Sequence, residues 1–247
     1  LHPSWIDTLQ LPQKTPIWLE LGQSRRRITI APHNHSSHHL LLDSQSFDEM
    51  GLLEGLHMRL SYDRKANTLR LGPVLAILLD AITKNKIPKG AFPFLEELSV
   101  ACLRHGILSY ITDVARVNQV SETKQKKIAG WTFTGNSWKQ GLFPIPNVSY
   151  NRISSRQKEK MADTQKALEF MNHNSYLFNT QFLNKREVHE VLSRSEQLRK
   201  HLPVTRAYRH SQDLQEMLSR YSILFLKPED GSLGHGIIKL IRHMKGY

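Results

Sequence analysis

The stretch Phe225-Leu226-Lys227-Pro228-Glu229-Asp230-Gly231-Ser232-Leu233-Gly234-His235-Gly236-Ile237 sets a lysine and three glycines between two apolar runs. Tyr221 to Leu226 is apolar enough for a strand. Ile237, Ile238, Leu240 and Ile241 supply a second strand directly after the loop, so the glycines fall in a strand-to-strand hairpin. That context excludes two commoner phosphate motifs. A Walker loop needs Gly-Lys-Ser/Thr leading into a helix, and a dinucleotide fingerprint needs a helix after its third glycine. What is left is a loop whose backbone N–H groups can approach oxygen anions closely because glycine lacks Cβ, with Lys227 as a point charge at its base. An ordinary flexible turn is the competing reading of a Gly-x-x-Gly-x-Gly hairpin taken alone.

Upstream, Phe182-Leu183-Asn184-Lys185-Arg186-Glu187-Val188-His189-Glu190-Val191-Leu192 puts Lys185 at a helix start, and Leu202-Pro203-Val204-Thr205-Arg206 follows before the hairpin. On composition alone Lys185 would be a solvated surface lysine. In order and wording, however, the two segments resemble the amino-terminal half of an ATP-grasp domain, and more closely the YheC/YheD endospore coat-associated family. Leu71-Gly72-Pro73-Val74-Leu75-Ala76-Ile77-Leu78 and Pro144-Ile145-Pro146-Asn147-Val148-Ser149-Tyr150-Asn151-Arg152 look like further signature segments of that family. The resemblance runs from near residue 70 to the end. Over the first seventy residues only the spacing of apolar positions and Gly51-Leu52-Leu53-Glu54-Gly55 are similar.

The resemblance implies a nucleotide, ATP, with Mg2+ as its cofactor, held between two α+β lobes. It implies that Lys185 and Lys227 are the nucleotide-binding lysines and that Gly231, Ser232, Gly234 and Gly236 form the mobile cover. In the family's chemistry the γ-phosphate passes to a carboxylate, and an amine or other nucleophile attacks the acyl phosphate. The chemical identity of the carboxylate is not readable. The family's adenine hinge, its acidic and asparagine magnesium ligands and its arginine near the transferred phosphate would all follow Tyr247. No metal ligand and no catalytic residue are therefore assigned, and this chain is not expected to turn over ATP by itself. Glu229 and Asp230 do not replace the magnesium ligands, since negative charge in a phosphate loop repels the nucleotide unless turned outward. Two alternatives stand beside the ligase: a non-catalytic spore-coat scaffold with a grasp-like fold, and a basic anion-binding module.

Along the chain the fold reads as α/β (α+β overall), in three parts. Residues 1–70 carry period-two runs at Ile17 to Leu21, Arg27 to Ile30, His39 to Leu42 and His57 to Leu60, with a short helix-like turn at Phe47 to Met50, and predict a small β-rich domain. Residues 71–175 alternate helix and strand, as expected of a pre-ATP-grasp α/β domain with a mainly parallel sheet. Phe94, Leu95, Leu98 and Cys102 recur at helical spacing, with Gly106 as the stop before a strand at Ile107 to Thr112. Ser154 and Gln157 predict a cap opening one charged helix that runs to Met171. Residues 176–247 are expected to be the first part of the grasp domain, a truncated lobe in which Leu214, Met217 and Leu218 form a helical stripe before the hairpin.

Asn147, Tyr150, Asn151 and Arg152 fall at or just past the carboxyl end of a short strand, where ligands of open α/β sheets bind. Asn151 and Arg152 are taken as substrate-binding candidates, with a guanidinium suited to a carboxylate or phosphate; a structural salt bridge is the equal alternative. His33, His35, His38 and His39 are the densest set of metal-ligand types, yet no cysteine or carboxylate lies among them. Trp131, Phe133 and Trp138 read as packing residues before a stacking platform.

The net charge of +12, from 34 basic against 22 acidic side chains, favours anionic partners without choosing among them. The basic residues are scattered and no zinc-finger or RNP-like signature is present, so nucleic acid is not expected as a partner. Cys102, the only cysteine, excludes an intrachain disulfide and reads as a buried small hydrophobe. The longest apolar run, Val74 to Leu79, is far too short to cross a bilayer, and no secretory leader is visible. A cytoplasmic location, or the endospore coat with its proteins as partners, is the expectation.

Overall fold

The computed structural model describes residues 1–33, 39–82, 93–123, 126–231 and 234–242. The chain divides into two compact units, Leu1–Gln181 and Phe182–Tyr247. It is a mixed α/β structure with three sheets among the described residues.

The first unit opens with α1 (Pro3–Leu9), β1 (Ile17–Leu21), β2 (Ser24–Ile28), α2 (Ser44–Met50), β3 (Leu60–Asp63) and β4 (Thr68–Leu71). These strands form a four-stranded sheet in the order β2-β1-β4-β3, with β1 parallel to β4 and the outer pairs antiparallel. Alternation in β1 matches its burial: Ile17, Leu19 and Leu21 are fully buried, and Trp18 and Glu20 are partly exposed. The helix-like turn is α2, capped by Asp43, whose carboxylate accepts from Ser46 N at 2.8 Å, and ended by left-handed Gly51. Two strand expectations are corrected. His39 to Leu42 joins no sheet; Leu40 and Leu42 pack on the core from outside the sheets, so their period-two pattern records burial without a ladder. The run at His57 to Leu60 reaches the sheet only at Leu60.

The unit continues with β5 (Val74–Leu79), α3 (Pro93–Arg104), β6 (Leu108–Asp113), α4 (Val114–Thr123), β7 (Lys127–Phe133), β8 (Trp138–Pro144), β9 (Val148–Asn151), α5 (Arg156–Glu159), α6 (Ala162–Asn174) and β10 (Tyr176–Phe178). The six-stranded sheet runs β10-β9-β5-β6-β7-β8. Strands β10, β9, β5 and β6 are parallel, and β7 and β8 extend the sheet antiparallel. Every residue of β6 is buried, as a central parallel strand covered on both faces requires. Leu95 of α3 packs with Ile77, Ile111 and Trp131 on one face. Val117 and Val120 of α4 and Leu168 and Met171 of α6 join Val74, Ala76 and Leu78 in the cluster on the other, which also holds Ile17, Leu19, Leu21 and Leu69 of the smaller sheet.

Gly106 ends α3 in the left-handed region, and Ile107 N donates to Cys102 O at 2.9 Å. The charged helix read from Ser154 to Met171 is two helices. Ser154 is drawn away from capping because its N–H and hydroxyl both donate to Asp80, at 2.8 and 2.5 Å. Ser155 caps the short α5 instead, and extended Met161 separates it from α6.

The second unit contains α7 (Lys185–Ser193), α8 (Glu196–Arg199), α9 (Ser211–Arg220), β11 (Ile223–Leu226) and β12 (Ile238–Ile241). The two strands pair as an antiparallel hairpin, Ile223 with Ile241 through Leu226 with Ile238, which is the hairpin read in the sequence. Asp213 in the first turn of α9 accepts from the N–H groups of Arg209 and His210, each at 3.0 Å. None of the described residues in this unit is buried. Phe225 is 56% and Ile241 64% exposed, so the hairpin presents an apolar face to solvent.

Candidate functional site

In the second unit the local sequence rules place the candidate lysines. Asn184 is the N-cap of α7: its side-chain oxygen accepts from Arg186 N at 2.9 Å and Glu187 N at 3.1 Å. Lys185 therefore stands at the first helical position. Its backbone N–H donates to Glu229 O at 3.0 Å, and its ammonium donates to Pro228 O at 3.1 Å and to Gly231 O. Two segments more than forty residues apart are thus clamped together through one residue.

The acidic pair in the loop is held at the start of α7. Asn184 Nδ2 lies 3.1 Å from Asp230 Oδ1 and 3.5 Å from Glu229 Oε2, and Arg186 Nε lies 3.6 Å from Glu229 Oε1. Lys227 follows β11, is exposed, and makes no hydrogen bond or ion pair among the described residues. Gly236 has φ +73°, and a Cβ there would come within 2.9 Å of Pro228 Cγ, so the return of the loop over Pro228 needs glycine. Gly231 and Gly234 flank it, and Ser232 lies outside the described residues. A cleft of about 1170 Å³ is lined by Lys185, Arg186, Arg206, Lys227 and Gly236 with the apolar Val204 and Met217. That volume accommodates a nucleotide-sized ligand.

In the first unit the parallel strands present their carboxyl ends where the strand order reverses about β5. Asp80, just past β5, accepts from Lys158 Nζ at 2.7 Å as well as from Ser154. Burial alone would raise its pKa, but the hydrogen bonds from Lys158 and Ser154 outweigh that and hold the carboxyl below its ordinary value. Asp113, at the end of β6, caps α4 through Arg116 N at 3.0 Å, accepts from Ile82 N at 3.0 Å and pairs with the Arg116 guanidinium. Asn151 is buried: its Nδ2 donates to Glu159 Oε1 at 2.9 Å and its Oδ1 accepts from Ile153 N at 3.1 Å, so both ends of the amide are used inside the fold. Arg152 is exposed, with its guanidinium 5.0 Å from the Phe94 ring centre and 5.8 Å from that of Tyr150. Phe94 and Phe178 give no signal in the sequence as site residues. They reach this edge from the first turn of α3 and from the outermost strand.

Trp131 and Phe133 are buried, and Trp138 Nε1 donates to Glu96 Oε1 at 3.3 Å. His33 donates through Nε2 to His39 O at 2.9 Å when that nitrogen carries the proton; His35 and His38 lie outside the described residues. No group of three metal-ligating side chains occurs among the described residues. Burial pushes the Cys102 thiol pKa up, against a smaller lowering by Ser109, which disfavours the reactive thiolate. No helix among the described residues is long and apolar enough to cross a membrane.

Residues 174–247, which hold the lysine-led helix and the glycine hairpin, match the family model described as YheC/D like ATP-grasp. The chain is 26% identical over 221 residues to the endospore coat-associated protein YheD of Bacillus subtilis (strain 168), an alignment that covers 87% of this chain and 47% of that protein. The chain spans about half the length of this curated relative.

Proposed function

We propose that the second unit binds ATP, with Lys185, Lys227 and the loop of Gly231, Ser232, Gly234 and Gly236 contacting the phosphates. In the whole protein this would serve an ATP-dependent carboxylate-amine or related ligase working through an acyl phosphate. The carrying observation is the clamp between Lys185 and the Pro228–Gly231 turn, which brings an ammonium to the base of the glycine loop. A phosphate would compete with two loop carbonyls for that ammonium. Lys227 adds a second positive charge, and the loop carboxylates are drawn to Asn184 and Arg186. Two ammonium groups and loop N–H donors form a donor set fitted to phosphate oxygens. Magnesium bound with the nucleotide would neutralise further phosphate charge. Arg152 is proposed as the anchor of an acidic substrate, with Asn151 fixing the strand end beneath it.

Titration calorimetry with ATP and magnesium, on protein carrying a complete ATP-grasp domain, tests this. Lys185→Ala and Lys227→Ala are each expected to weaken binding by about tenfold or more, since a charge-assisted hydrogen bond is worth roughly 1.5–3 kcal/mol. Binding unchanged in the double variant would remove the phosphate-site assignment. A second reading is a non-catalytic spore-coat component, for which the coat association in the relative's name speaks. Retention on spore coats that does not respond to nucleotide, together with absent ATP turnover by the complete protein, would select it.

A further inference from the structure

We infer that the carboxyl edge of β9 and β10 recognises a carboxylate that carries a flat aromatic ring. Arg152 pairs the carboxylate, and the exposed aromatic side chains beside it receive the ring. The inference rests on the substrate role proposed for Arg152 and names the class of substrate.

Among the described residues, charge accounting at this edge leaves Arg152 without an acidic partner. Asp80 is paired with Lys158 and Asp113 with Arg116. Glu159 is held by Asn151, and Glu96 accepts from Trp138. Arg152 has no carboxylate within ion-pair distance among the described residues, and the segments outside them contain no Asp or Glu. What its guanidinium does have is aromatic neighbours, Phe94 at 5.0 Å and Tyr150 at 5.8 Å, both within cation–π range. Such contacts restrain the guanidinium and leave its N–H donors for an anion. An uncommitted guanidinium matches an anion, and its planar fork matches the two oxygens of a carboxylate.

The aromatic part is built by register. Phe178 stands opposite Tyr150 across the β9–β10 pair, and their rings stack at 4.5 Å with an interplanar angle of 11°. On this face α3 packs over β6 and β7, whereas α4 and α6 pack on the opposite face. The β9–β10 end is left with Phe94 48% and Phe178 38% exposed. A ring laid beside this stack would extend it in the offset or edge-on geometries that aromatic pairs favour.

The test uses the 247-residue chain and four probes: phenylacetate, acetate, benzyl alcohol and phenyl phosphate. Isothermal titration should show saturable binding of phenylacetate, with acetate and benzyl alcohol each weaker by about tenfold or more, and phenyl phosphate no tighter than phenylacetate. Arg152→Gln should weaken phenylacetate by about tenfold or more, as for loss of a hydrogen-bonded charge. Phe178→Leu, which keeps apolar bulk and loses the ring, should weaken it about two- to tenfold. No saturable phenylacetate binding up to its solubility limit, equal binding of acetate, tighter binding of phenyl phosphate, or indifference to Arg152→Gln or Phe178→Leu in variants with unchanged circular dichroism would each overturn the inference. Nucleotide titration of the complete protein separates the two readings. Loss of ATP binding with phenylacetate retained refutes only the nucleotide site, whereas ATP binding without phenylacetate binding refutes only this one.

Discussion

Asn184 does two jobs with opposite ends of one amide, and the two can be separated by substitution. Its oxygen caps α7, accepting at 2.9 and 3.1 Å, while its nitrogen faces Asp230 and Glu229 of the loop. Asn184→Ala removes both. Loss of an N-cap costs about 1 kcal/mol, which corresponds to roughly a fivefold increase in the population of opened helix. Asn184→Asp keeps the cap, since aspartate caps as well as asparagine, but sets a carboxylate against two others. The loop should then detach while α7 stays formed, and because these groups are solvent-exposed the repulsion should fade with salt. Native-state hydrogen exchange resolved to peptides over 185–193 and 227–236 reads the two effects apart. Asn184→Ala should speed exchange in both peptides. Asn184→Asp should speed it in the loop only, and more at low salt than at high. Equal acceleration of α7 in both variants, or a loop indifferent to Asn184→Asp, would refute the clip.

Two further outcomes are expected of the first unit. Gly22→Ala should lower the melting temperature, because its φ is +57° and a Cβ would lie 2.3 Å from Ile145 O, a backbone atom that cannot move aside cheaply; a melting curve unchanged from wild type would contradict that packing. Asp80 contributes to pH dependence: its folded pKa is lowered, so its stabilisation is fully present above the ordinary carboxylate value near 4 and is lost as pH falls through the lower native value. Asp80→Asn should therefore flatten the acid limb of a urea-stability profile below about pH 4, and a wild-type slope in the variant would show that other groups carry it.

Legibility followed range along the chain. The lysine at the start of α7 and the stop of α3 at Gly106 depend on residues within a few positions, and the hairpin of β11 and β12 joins two adjoining apolar runs, so each is written in local pattern. The failures share the opposite cause. Ser154 looks like a helix cap until Asp80, 74 residues earlier in the chain, takes both its donors. His39 to Leu42 alternates like a strand because Leu40 and Leu42 touch a core assembled from distant elements. Asn151 sits at the predicted strand end, but tertiary context turned its amide inward to Glu159 and left its neighbour Arg152 facing out.

The same logic explains why the two candidate sites differ in how they could be found. A phosphate-binding loop is made mostly of backbone, so its requirements are positions without Cβ and a nearby ammonium, and both survive as a short string of letters. The Arg152 edge is made of side chains from β9, β10 and the first turn of α3, whose sequence order says nothing of their adjacency. Arg152 alone is as compatible with a salt bridge as with a ligand contact. Only the tertiary structure shows that Asp80, Asp113 and Glu159 have other partners and that aromatic rings lie against the Arg152 guanidinium. Among the described residues the Arg152 guanidinium has no ion pair and lies against partly exposed rings. A ligand bringing both a carboxylate and a ring, as proposed for this edge, would engage the guanidinium and the rings together.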